Sequence, residues 1–94
     1  MRLRYLTGAL HDLRLIFEYI AQSNPEAARR VIDALRKEVR VLVEHPEIGR
    51  MGQVEGTREL VHDRYPYIIA YRVQKDEAQI LGVVHASRKW PEDF

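Results

Sequence analysis

The chain has no cysteine. That excludes a disulfide framework, a cysteine-ligated zinc site and a thiol nucleophile. It also lacks any run near the roughly 18 apolar residues of a membrane span, and Met1-Arg2-Leu3-Arg4-Tyr5-Leu6 has no apolar leader core. No membrane association is expected, and the expected compartment is the cytoplasm. Charge of one sign is scarce too: 15 basic against 14 acidic side chains leave a net charge of +1. Binding to nucleic acid through phosphate neutralisation draws on a basic excess, so direct specific nucleic-acid binding is not expected. Walker, G-x-G-x-x-G, G-x-S-x-G and H-E-x-x-H motifs are all missing. The four histidines, His11, His45, His62 and His85, show no ligand spacing, so neither metal nor cofactor is expected.

What is present reads as one globular domain over residues 1–94, with 46% apolar and 31% charged residues. In Arg2–Leu6, Leu3 and Tyr5 alternate with arginines, a strand pattern. Thr7 is placed to cap a helix reaching about Gln22, with Leu10, Leu13, Phe17 and Ile20 as its buried stripe. Asn24-Pro25 opens a second helix, Asn24 as cap and Pro25 in the first turn, where a missing N–H costs nothing. That helix runs to about Glu44 with Ala28, Val31, Ile32, Leu35, Val39, Leu42 and Val43 on one face, and Pro46 ends it. The short gap between the two predicts an antiparallel helical hairpin.

Glu47–Gly56 holds three glycines and reads as a loop. Three strands are expected after it: Thr57–His62, Pro66–Gln74 and Ala78–Ala86, the last two joined by a turn at Lys75-Asp76-Glu77. Tyr67, Ile69, Tyr71 and Val73 share one face of the second. Ile80, Leu81, Val83 and Val84 make the third apolar on both faces, as in a central strand. The expected class is α+β, in the order β-α-α-β-β-β, an antiparallel sheet packed by an N-terminal helical hairpin.

Few residues suggest chemistry. His85 ends a strand beside Arg88 and Lys89. It reads either as a proton-transfer group or as a strand-end cap bonded to backbone. Arg88-Lys89-Trp90-Pro91 gathers two cations and the only tryptophan. Trp90 suits an interface hot spot, and equally a plug for the end of the core. Leu15 and Tyr19 form an i,i+4 pair off the main stripe of the first helix, suited to a partner helix or to ordinary packing.

Several fragments together resemble one family. Asn24-Pro25 with Ala27-Ala28-Arg29, His45-Pro46-Glu47-Ile48-Gly49-Arg50, Gly56-Thr57-Arg58-Glu59-Leu60, Pro66-Tyr67-Ile68-Ile69, Tyr71-Arg72-Val73 and Val84-His85 with Arg88-Lys89-Trp90-Pro91 are similar to ParE-type toxins of the RelE/ParE toxin–antitoxin superfamily. The match runs along nearly the whole chain in order. It implies a plasmid-stabilisation type of toxin that binds and poisons DNA gyrase, arrests growth, and is neutralised by a ParD-like antitoxin with a ribbon-helix-helix domain. Arg88, Lys89 and Trp90 are then the expected target contacts. Arg14, Leu15 and Tyr19 are the expected antitoxin contacts, in a groove along the helical hairpin, with a strand added to a sheet edge as a further contact. Toxicity and antitoxin binding are expected to separate on mutation of Arg88 or Trp90.

The alternative is a RelE-like, metal-independent endoribonuclease working in the ribosome, which offsets transition-state charge with a cluster of basic residues. Arg88 matches the C-terminal arginine of that cluster, whereas Arg58-Glu59-Leu60-Val61, Tyr67-Ile68 and Phe94 depart from it. A YoeB-like arrangement would draw on Arg58, Glu59, His85 and Arg88. A non-toxic member that only binds antitoxin is a third reading.

Overall fold

The computed structural model describes residues 1–88. Lys89, Trp90 and Phe94 therefore lie outside the described residues. Strand β1 spans Arg2–Tyr5, with Leu3 and Tyr5 packed on the core and Arg2 and Arg4 exposed. Helix α1 follows at Thr7–Ala21. The residue at its cap position is Leu6, without a side-chain capping bond, so Thr7 is the first helical residue rather than the cap. The start is set by the sheet: Leu6 N–H still donates to Ile80 O at 3.0 Å and holds Leu6 extended, while Leu6 O accepts the first helical bond from Leu10.

The buried line of α1 is Ala9, Leu13, Ile16 and Ile20, at spacings of four, three and four. Leu10 is displaced from the expected stripe and is 47% exposed, while Phe17 is half-buried. One register step around the helix makes the difference, and both sets satisfy the same periodicity. Helix α2 spans Pro25–Arg40 and continues as a 3-10 turn, Val41–Val43. Asn24 Oδ1 accepts from Ala27 N at 3.0 Å, with Pro25 in the first turn, as the sequence indicates. Ala28, Val31, Leu35, Val39 and Leu42 fill the space beneath α1 and above the sheet, while Val43 is exposed.

Four more strands complete the sheet: β2 Arg50–Met51, β3 Arg58–Val61, β4 Tyr67–Gln74 and β5 Glu77–His85. Their order is β1-β5-β4-β3-β2. The pairs from β5 to β2 are antiparallel, but β1 runs parallel to β5, so the five-stranded sheet is mixed. The α+β class and the helical-hairpin layer match expectation. The parallel edge and the two-residue β2, inside the segment read as loop, were not expected. Neither leaves a local pattern, because β1 and β5 are far apart in sequence and β2 is too short for periodicity.

The two-residue hairpin Lys75-Asp76 has φ of 52° and 60°, so both residues are left-handed and the turn matches the twist of its strands. Glu77 already belongs to β5. Further along, Tyr71 pairs with Ile80 but Ala70 pairs with Gly82, leaving Leu81 as a bulge. Ala78 and Ile80 meet the core before the bulge and Val83 after it. The phase change explains part of the apolar content read on both faces of this strand. Val84, with Ile68 and Ala70, is buried on the opposite, helix-free face.

Candidate functional site

The family-like segments Pro46–Arg50 and Gly56–Glu59 bind each other. Tyr71, fully buried, donates through its hydroxyl to Pro46 O at 2.7 Å and accepts from Gly49 N at 2.9 Å. Arg58 reaches the same segment, donating to Glu47 O at 3.1 Å and Gly49 O at 2.8 Å. Glu59, its neighbour in β3, points to the other face as strand alternation requires. There it takes two hydrogen bonds from Arg50, at 3.1 and 2.9 Å. Arg58 is thus a clamp on a loop, and Glu59 is the buried half of an ion pair with Arg50.

This geometry corrects the convergence of Arg58, Glu59 and His85. Arg58 sits opposite Tyr71 and His85 opposite Tyr67, four residues along β4, or roughly 13 Å, with one strand between. Glu59 lies on the opposite face altogether. Of the ribonuclease candidates, Glu59 and Arg88 share one cleft. It is a small one of about 170 Å³ on the helix-free face, walled also by Arg50, Ile68 and Val84. Arg50 was not singled out from the sequence, because its place depends on β2, which has no sequence signal.

A larger cleft of about 720 Å³ opens between α1 and the ends of β4 and β5. Leu15 and Tyr19 form its helical wall, Ile16, Tyr67 and Val83 its apolar floor, and His85 and Arg88 its far end. Leu15 is 47% and Tyr19 75% exposed, so the second apolar strip of α1 faces solvent rather than β1. Arg14 is not on the wall; its guanidinium lies 3.1 Å from His11 Nδ1, one turn back. Tyr67 was read only as a strand residue. Burial raises its phenol above the usual range, and the nearby Tyr19 phenol adds to the shift.

His85 packs edge-on to Tyr67, with ring centres 5.7 Å apart. Its Nδ1 lies 2.9 Å from Ser87 Oγ and accepts from Ser87 N–H at 3.2 Å, while its carbonyl accepts from Arg88 N–H at 2.9 Å. These bonds fit the strand-end cap, and with Ser87 N–H on Nδ1 the proton of the neutral ring belongs on Nε2. Asp12 braces the same wall: its Oδ2 accepts from Val83 N at 2.9 Å, just past the bulge. Burial raises the Asp12 carboxyl and the Val83 bond partly offsets it. Gly8 allows the close approach, since a Cβ there would sit 3.3 Å from Leu81 O.

Among the described residues one histidine–carboxylate cluster exists, Glu38, His62 and Asp63, with donor atoms within 4.8 Å of one another. His62 Nδ1 already accepts from Arg64 N and Tyr65 N, both at 3.1 Å. With both backbone donors on Nδ1, the neutral ring carries its proton on Nε2, and neither nitrogen is free for a cation. The cluster is better described as the anchor of the loop between β3 and β4. No described helix is long and apolar enough to cross a membrane.

The family model for the ParE toxin of type II toxin–antitoxin systems matches residues 3–90. The protein Y4kP of Sinorhizobium fredii is 43% identical over 91 residues, covering 97% of this chain and 94% of that protein. Toxin RelE2 of Caulobacter vibrioides is 40% identical over 80 residues, covering 85% and 89%. Among solved structures, the chromosomal ParDE system of P. aeruginosa superposes with a TM-score of 0.82 at 31% identity, over 90% of this chain and 95% of that one. The E. coli RelBE complex has a TM-score of 0.68 at 18% identity, over 93% and 98%, a likeness of fold alone. The motifs that resembled ParE toxins, the helical hairpin on a five-stranded sheet and these relatives agree: the chain belongs to the ParE toxin family of the RelE/ParE superfamily, the toxin half of a type II toxin–antitoxin system.

Proposed function

We propose that the chain arrests growth in the cytoplasm by binding DNA gyrase, without chemistry of its own on nucleic acid, and that a ParD-like ribbon-helix-helix antitoxin neutralises it. The observation that carries the reading is the commitment of Arg58 to the carbonyls of Glu47 and Gly49 and of Glu59 to Arg50. Transition-state stabilisation of phosphoryl cleavage requires several donors aimed at one point. Arg58 and Glu59 point to opposite faces instead. The likeness to the chromosomal ParDE toxin–antitoxin system of P. aeruginosa supports an antitoxin partner here. Purified gyrase should stop supercoiling when the free toxin is added and resume when antitoxin follows. Unimpaired supercoiling at saturating toxin rejects this target.

One observation favours a second reading. Arg50, Glu59 and Arg88 line a single cleft on the helix-free face, and one relative carries the name RelE2. A ribosome-dependent ribonuclease predicts transcript cuts at the ribosomal A site in a translation extract. Their absence at toxin levels that arrest growth disposes of it.

A further inference from the structure

One ring nitrogen organises the turn from β3 into β4. His62, directly after β3, has a side chain only 7% exposed, and its Nδ1 accepts from both Arg64 N and Tyr65 N at 3.1 Å. Its ring centre lies 5.4 Å from that of Tyr65, which packs against the core. The loop is tied to both neighbouring strands: His62 N–H donates to Tyr67 O at 3.0 Å, and Ala86 N–H donates to Pro66 O at 2.7 Å. We infer that His62 is a proton-operated latch, whose protonation in mild acid releases the loop Asp63–Pro66 and, through Pro66, loosens the chain leaving β5 at Ala86. The latch stands independently of the gyrase and ribonuclease readings.

The direction of the switch follows from which nitrogen takes the proton. The neutral ring already holds a proton on Nε2, so a second enters only at Nδ1. There it turns an acceptor of two backbone bonds into a donor facing two donors, and Arg64 N–H and Tyr65 N–H lose their partner. The new N–H has a destination close by. Asp63 Oδ1 lies 3.7 Å from Nδ1, on a side chain 94% exposed. Each ring state therefore favours its own loop arrangement, one with Nδ1 accepting from backbone and one with Nδ1 donating to Asp63. From α2 the ring faces Glu38, and donor atoms of Glu38, His62 and Asp63 lie within 4.8 Å of one another. A carboxylate at either place favours the charged ring, while the exposed Arg64 on the loop opposes it. Burial raises the Glu38 carboxyl above its ordinary value, with His62 opposing the shift and Asp63 adding to it. Tyr65 is the remaining titratable neighbour.

His85 complicates the readout at Ala86, because it is adjacent in sequence and its own Nδ1 accepts from Ser87 N–H. The substitution His62→Asn separates the two. Asn Oδ1 accepts from the backbone two residues on, as in an Asx-turn, and does not titrate. The isotope-labelled full-length chain is followed by NMR from about pH 8 to 5, where imidazoles change charge, with circular dichroism to confirm folding. In wild type, the Arg64 and Tyr65 amides should shift with the same midpoint as the His62 ring. Their exchange protection should fall about tenfold for each pH unit below it. Ala86 should follow the same curve. In His62→Asn, Arg64 and Tyr65 should stay protected throughout, and Ala86 should keep only the response due to His85. Wild-type amides at Arg64 and Tyr65 that stay protected while the His62 ring titrates overturn the latch, even if the variant fails to fold. An unchanged pH response of Arg64 and Tyr65 in folded His62→Asn overturns it too. A response at Ala86 identical in wild type and variant overturns the transmission to β5.

Discussion

The Tyr71 hydroxyl accepts the Gly49 N–H at 2.9 Å across 22 residues of sequence, and so fastens the loop after α2 to the middle of the sheet. The same oxygen donates to Pro46 O at 2.7 Å. Tyr71→Phe keeps the ring and removes both bonds, leaving the buried Gly49 N–H without its partner. The expected cost is about 1–3 kcal/mol. At about 4–8 °C per kcal/mol for a domain of this size, the melting midpoint should show it clearly. Gly49→Ala should be worse, because its Cβ would lie 2.6 Å from the Tyr71 ring and hydroxyl. An unchanged midpoint in either variant contradicts the lock.

Arg58 separates the two functional readings. As a clamp on the carbonyls of Glu47 and Gly49, Arg58→Ala should lower stability by about 1–3 kcal/mol. Growth arrest should persist at temperatures where the variant is folded. A ribonuclease using Arg58 predicts the reverse, an intact melting curve with arrest abolished.

Glu38 should make stability depend on pH. Its carboxyl is raised above its ordinary value near 4.5, chiefly by burial, with His62 opposing the shift and Asp63 adding to it. Among the described residues, its Oε1 is buried without a hydrogen-bond partner. The folded state therefore holds the proton more tightly than the unfolded chain, and stability falls as pH rises through the raised value. Glu38→Gln should melt higher than wild type at neutral pH. The difference should shrink as pH falls through the raised value toward 4.5, below which both states of the wild type are protonated. Melting curves across that window decide it; a gap that widens toward acid is inconsistent with this account.

The hairpin turn is open to improvement. Lys75 and Asp76 both hold positive φ, where side chains with a Cβ are strained, while Asn-Gly is the favoured pair. Lys75→Asn with Asp76→Gly should stabilise the fold by about 1 kcal/mol. Denaturant unfolding would register that as a higher midpoint at unchanged slope. A lower midpoint would be incompatible with the turn described.

Legibility followed the range of the interaction. The gap between the helices was readable because Asn24 caps through a bond to Ala27, three residues away. The β4–β5 hairpin was readable because a polar turn separates two apolar runs. The buried stripe of α1 was harder: period alone cannot decide between lines through Leu10 and Ala9. Only the approach of Gly8 to Leu81 O and of Asp12 to Val83 N fixes the helix rotation. The family resemblance was legible for a related reason. Two of its segments, Pro46–Arg50 and Gly56–Glu59, hold each other in the fold, so they mark the architecture more than the activity.

By itself the sequence determined the class of the protein: two amphipathic helices, the strands of a sheet, no thiol chemistry, and the motifs of a toxin family. Those features rest on periodicity and on contacts between residues close along the chain. The tertiary structure decided which side chains share a place. It turned Arg58 and Glu59 to opposite faces, paired Glu59 with Arg50 in a strand too short to leave a pattern, and laid β1 parallel to β5. It also set Leu15 and Tyr19 opposite Tyr67, with His85 and Arg88 at the end of the cleft. Such neighbours are chosen by strand register, a bulge at Leu81 and the rotation of one helix, which depend on packing across the whole core.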